Sequence, residues 1–111
     1  MLSNRPAKMS TPQFLSNVKT TIYTPAADVK YAIIREISLN NVDSLAHNFT
    51  IAIGDPGTAS NILFDAVPVQ ALGSEPPTYS RATVLYPGDT IQALADVANK
   101  VSISISGIEY T

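Results

Sequence analysis

The clearest pattern in the chain lies near its end, where Val101, Ile103 and Ile105 alternate with Ser102, Ser104 and Ser106. Successive side chains of a strand point to opposite faces, so this run predicts a strand over 101–110 with one apolar and one hydroxyl-bearing face. Beyond Gly107 the apolar positions become even-numbered, Ile108 and Tyr110, which predicts a bulge or a strand whose covering changes sides. The same alternation runs over 47–53, with Phe49, Ile51 and Ile53 inward and Asn48, Thr50 and Ala52 outward. A longer strand over 30–40 places Ile33, Ile37 and Leu39 on one face and Ile34, Glu36 and Ser38 on the other. Arg35 interrupts the first of these faces, the mark of a bulge or of a sheet edge. Further strands are predicted over 18–24, 61–69, 78–86 and 90–95.

Turn chemistry separates these runs. Pro25, Asn40-Asn41-Val42-Asp43, Gly54-Asp55-Pro56-Gly57 and Pro87-Gly88-Asp89 each combine residues that stop a strand or tolerate left-handed backbone. The segment 72–77 contains consecutive prolines, which offer no amide donors to a ladder, and is the best candidate for a crossover between sheets. The Ala- and Leu-rich stretch 92–101 is the one helical competitor, but it is short and has no clear amphipathic face. Eleven isoleucines and eight valines support the strand reading. About seven antiparallel strands, each with one dry face, predict an all-β fold: an antiparallel β-sandwich of jelly-roll or immunoglobulin-like connectivity.

Residues 1–19 depart from this pattern. Arg5, Lys8 and Lys19 give the segment a charge of +3, and the remaining four basic and nine acidic groups leave the rest at −5. Pro6 and Pro12 among Ser, Asn and Thr favour extended backbone over helix. The expectation is an extended basic N-terminal arm over 1–19 and a single sandwich domain over 20–111. The arm would dock on an acidic neighbouring surface through Arg5, Lys8, Phe14, Leu15 and Lys19. Three cations without an arginine cluster, beside the isolated Phe14, do not point to nucleic acid. No apolar run in 1–20 exceeds two residues, so neither a signal peptide nor a membrane span is predicted.

Composition narrows the chemistry sharply. Zero cysteines remove disulfides, thiolate nucleophiles and cysteine-based metal centres, and the lone histidine, His47, has no second imidazole to join it. His47 reads as an ordinary surface or edge residue at the start of a strand. None of the eleven serines sits in a Gly-x-Ser-x-Gly elbow. Asp55, Asp65 and Asp89 are loop-placed carboxylates, but no calcium-binding ladder surrounds them. No catalytic residue, metal or cofactor is assigned. The tyrosines Tyr23, Tyr31, Tyr79, Tyr86 and Tyr110 lie in or beside predicted loops. Tyr23, Tyr79 and Tyr86 are candidates for an interface or for stacking on a sugar.

Four stretches also carry a family resemblance: Thr20-Thr21-Ile22-Tyr23-Thr24-Pro25-Ala26, the strand from Ala32 to Asn41, Leu85-Tyr86-Pro87-Gly88-Asp89-Thr90-Ile91-Gln92-Ala93, and Val101 to Glu109. Together they resemble small structural proteins of tailed bacteriophages over about residues 20–111. The usual pattern has glycine after the Pro-Ala turn, where this chain has Ala27-Asp28. The resemblance implies a non-enzymatic part of the virion, made in the host cytoplasm, that decorates the capsid or belongs to the tail or its fibres. Its partners would be other copies of itself, in trimers, and capsid or tail proteins. No nucleic acid or membrane partner is implied, and no catalytic residue is carried over. A carbohydrate-binding, receptor-recognition module of a tail or fibre is the alternative from a different class.

Overall fold

The computed structural model describes residues 2–55, 62–69, 78–79 and 83–111, with side chains for all but 62–67 and 78–79. The described residues form nine strands: β1 (Asn4–Phe14), β2 (Thr20–Tyr23), β3 (Tyr31–Asn41), β4 (His47–Gly54), β5 (Ile62–Val69), β6 (Thr78–Tyr79), β7 (Thr83–Leu85), β8 (Thr90–Ala95) and β9 (Val101–Tyr110). They form two antiparallel sheets. One has the order β1-β9-β3-β6, with β7 following β6 along the same edge of β3, and the other has the order β2-β8-β4-β5.

The pairing scheme identifies the connectivity. First pairs with last, β1 with β9, then β2 with β8, β3 with β6 and β7, and β4 with β5. One long antiparallel hairpin rolled into two sheets has this nesting, so the sandwich is a jelly roll rather than an immunoglobulin-like fold. Among the described residues no helix is long and apolar enough to cross a membrane.

The core fills the space between the sheets. Ile34, Ile37, Leu39, Val101, Ile103 and Ile105 from the first sheet meet Phe49, Ile51, Ile91, Ala93 and Ala95 from the second. Phe49 and Ile51 of β4 face inward as predicted, with Ile53 partly buried at its end, whereas Ala52, expected outward, is also buried.

In β3 an extra residue at Arg35 shifts the register between Ile34 and Glu36, as the break in its pattern predicts. The bulge moves Ile34 to the side of Ile37 and Leu39 and turns Ile33 outward, reversing the faces that uninterrupted alternation assigns to those two residues. At Gly107 the bulges belong to the neighbours. The extra residues are Met9 in β1 and Arg35 in β3, opposite an uninterrupted β9. Ile108 and Tyr110 then lie on the outer face.

The single strand predicted over 78–86 comprises β6 and β7, with 80–82 outside the described residues. The crossover loop expected over 72–77 also lies outside them. The competitor segment 92–101 is strand through Ala95 and then turns through Asn99, whose φ of 64° is left-handed.

The N-terminal segment is extended, yet it does not stand apart from the body. β1 runs along β9 from Asn4 opposite Tyr110 to Phe14 opposite Ser102, forming the first strand of the roll. Met9 is 3% exposed and Leu15 2%, both within the core cluster. The boundary at residue 19 is therefore corrected: the burial of Met9 and Leu15 seats the segment on the sheet. Pro6, Pro12 and Lys8 suit an edge strand, where missing donors and charge discourage further pairing.

Candidate functional site

The outer face of the first sheet carries a row of apolar side chains that no element among the described residues covers. Reading across the strands, Pro6 of β1 lies opposite Ile108 of β9, which lies opposite Ile33 of β3, which lies opposite Val84 of β7. Val84 is 42% exposed, and Ile33 and Ile108 are half-buried. The next row places Tyr110 opposite Tyr31, their rings stacked with centroids 4.6 Å apart and planes 18° from parallel. Tyr86 follows β7 beside this row and is 60% exposed. An aromatic and branched-aliphatic patch four strands wide is unusual for a solvated face, which typically alternates to polar residues.

Toward the middle of the sheet the patch gives way to an open groove of about 830 Å³. Lys8 stands on one side and Arg35 and Glu36 on the other, over Ser106, Gly107 and Ile108. The two bulges shape this groove, because each adds a residue beside the regular β9. Farther along, Ser104 lies opposite Ser38 and Ser102 opposite Asn40, so the other half of the face is polar.

Beneath the aromatic end, polar groups tie the sheets together. Arg5 donates from Nε to Glu109 Oε1 at 2.8 Å and from its terminal nitrogens to Asp28 at 3.1 and 3.3 Å. Tyr23 on the other sheet donates its hydroxyl to Glu109 Oε2 at 2.5 Å. Burial, then the bond to Glu109, pushes the Tyr23 phenol well above its ordinary value. Tyr23→Phe is expected to cost about 1 to 2 kcal/mol, because Glu109 loses an inter-sheet partner. Thermal denaturation of the variant at neutral pH measures it.

These contacts redistribute the residues singled out as arm or interface groups. Arg5 bonds within its own chain while its side chain stays 45% exposed, Leu15 is core and Tyr23 spans the two sheets. Phe14 is half exposed at the far end of β1, and Lys19 is exposed in the link to β2. Lys8 lines the groove and Tyr86 borders the patch. Tyr79 lies opposite Ile37 in β6, and its side chain is outside the described ones, as is that of Asp65. Asp89 is occupied in its turn, accepting from the Tyr86 amide at 2.8 Å.

His47 is not the ordinary surface residue that its sequence position suggests. Its ring is 7% exposed, with Nε2 2.7 Å from Asp43 Oδ2 and Nδ1 3.1 Å from Asp96 Oδ1. With both nitrogens engaged, the ring offers neither a base nor a metal ligand. Asp43 stands four residues before His47 across a turn, a visible hint, whereas Asp96 arrives only through the fold. Among the described residues no group of three or more His, Cys, Asp or Glu is arranged to hold a metal ion. Comparison with known proteins adds no relative: no protein-family model matches the chain, and no curated protein is significantly similar to it.

Proposed function

We propose that this protein is a non-enzymatic structural component that assembles by protein–protein contact through the outer face of its β1-β9-β3-β7 sheet. The setting we infer is the virion of a tailed bacteriophage, as a capsid decoration or tail protein binding other copies of itself and its neighbours. The observation that carries the contact reading is the uncovered row Pro6, Ile108, Ile33 and Val84 beside the stacked Tyr31 and Tyr110. Apolar surface of this extent gains free energy when a second surface removes it from water. The virion setting rests on the resemblance in residues 20–111. Fold-level analogy is compatible with it, since jelly rolls recur in viral capsid domains and in lectins. Because Arg5 and Leu15 are engaged inside the chain, contact passes through a sheet face and its β1 edge instead of a free arm.

The groove beside the aromatic pair supports carbohydrate binding as the second reading, with Lys8, Arg35, Glu36 and Ser106 as polar contacts. It ranks second because Tyr31 and Tyr110 stack on each other, leaving one face of each ring engaged where a sugar would need it open. A glycan array probed with the full chain and with Tyr110→Ala separates the two readings.

Ile33→Glu and Ile108→Glu test the contact reading. Each is expected to weaken assembly by about 2 kcal/mol, about thirtyfold in affinity, with little change in melting temperature. Competition between variant and wild-type chains for incorporation into particles reads this directly. Equal incorporation would remove the face from the account.

A further inference from the structure

At the pole opposite the aromatic patch, three links among the described residues cross between the sheets: 15–19 from β1 to β2, 42–46 from β3 to β4, and 96–100 from β8 to β9. His47, at the start of β4, lies between the second and third of these. Its ring reaches Asp43 in one link and Asp96 in the other. Backbone bonds continue the connection. The Val42 amide donates to the Lys100 carbonyl at 2.9 Å and the Asp96 amide to the Asn48 carbonyl at 3.0 Å. The first link is held by the third: the Ala95 amide donates to the Ser16 carbonyl at 2.9 Å, and the Asn99 amide to the Leu15 carbonyl at 3.1 Å.

We propose that His47 is a proton-operated latch, which when charged clamps the 42–46 and 96–100 links together and through them secures the link from which β1 departs. Both ring nitrogens face carboxylates, so only the imidazolium can donate in both directions. Loss of its proton leaves a lone pair facing a carboxylate in a nearly closed site, and the two links are then pushed apart. Among the described residues the charged groups around it are Asp43 on the β3–β4 link and Asp96 on the β8–β9 link, with Lys100 acting on Asp43. Val69, its neighbour on β5, brings no charge.

The shifts agree with the geometry. The bond to Asp43 first, then Asp96, raises the His47 pKa above its ordinary 6.5, while His47 first, then the Ser44 amide, lowers that of Asp43 below 3.8. A raised imidazole pKa stabilises the closed form fully below 6.5, and that contribution is lost as pH climbs through the raised value. A lowered carboxyl pKa stabilises it above 3.8, lost as pH falls through the lowered value. The latch is therefore fully closed between these limits and opens on the alkaline side first.

Amide exchange of the full chain, followed by NMR across pH and divided by the intrinsic rate at each pH, tests the latch alongside the His47 ring titration. The ring is expected to titrate above 6.5. The opening constant at Asn99 and Ala95 is expected to rise about tenfold per pH unit between 6.5 and that titration point, then level off. The Ile103 amide in the core stays unchanged. In Asp96→Asn the ring titrates lower and the rise begins to level earlier, and in His47→Gln opening becomes independent of pH. The Asp96 variant alters an exposed side chain and keeps the test available should His47→Gln fail to fold. A ring titrating at or below 6.5 would overturn the latch. So would a raised titration with no change in protection at Asn99 and Ala95.

Discussion

Gly107→Ala is expected to destabilise the protein by about 3 kcal/mol, a large effect for one added methyl group. A Cβ at this position would stand 2.3 Å from the Ile33 carbonyl oxygen and 2.6 Å from the Met9 methyl. Met9 has a flexible side chain and can withdraw, but the Ile33 carbonyl is fixed in the β3 backbone next to Ile34, the residue opposite Gly107. The double variant Met9→Ala/Gly107→Ala should therefore recover little of the loss. Urea denaturation of the three proteins measures this, with Ser106→Ala on the outer face as a control expected to stay within about 0.5 kcal/mol of wild type. Gly107 is thus a packing requirement: the β1 and β3 bulges close around a residue with no side chain.

Deleting residues 2–14 is expected to abolish the cooperative unfolding transition. The deletion strips a full strand from β9 and uncovers the core beneath Met9. The single change Met9→Ala isolates the packing contribution and should cost about 2 to 4 kcal/mol. A free arm would leave both melting curves as they were. Circular dichroism against temperature distinguishes the two outcomes; Arg5 already pairs with Glu109 and Asp28 within the chain.

How much of this was legible in the sequence depends on how far each element relies on distant partners. β9 and β4 show themselves through alternation, because each buries one face along nearly its whole length. The bulge at Arg35 is also readable, since a charged residue breaks an apolar face. β1 is not: it buries only Met9 and Ser10 of its eleven residues, so no period-two pattern forms, and its partner lies about a hundred residues away. The change of phase at Gly107 is visible, but its meaning is not local. Ile108 and Tyr110 mark an outer apolar face, and only the register with Ile33 and Tyr31 shows that the patch spans the sheet. Tyr31 and Tyr110 thus matter more to the candidate face than Tyr23, whose hydroxyl is committed to Glu109. The His47 site likewise needs Asp96, which the pairing of β8 with β4 brings beside it.

Sedimentation velocity of the full chain, Ile33→Glu and Ile108→Glu across a concentration series tests whether the outer face of the β1-β9-β3-β7 sheet is the contact surface. The wild-type chain is expected to associate with increasing concentration while both variants remain monomers with unchanged melting curves. A wild-type chain and variants that associate equally would contradict it, by placing the contact on another surface of the roll.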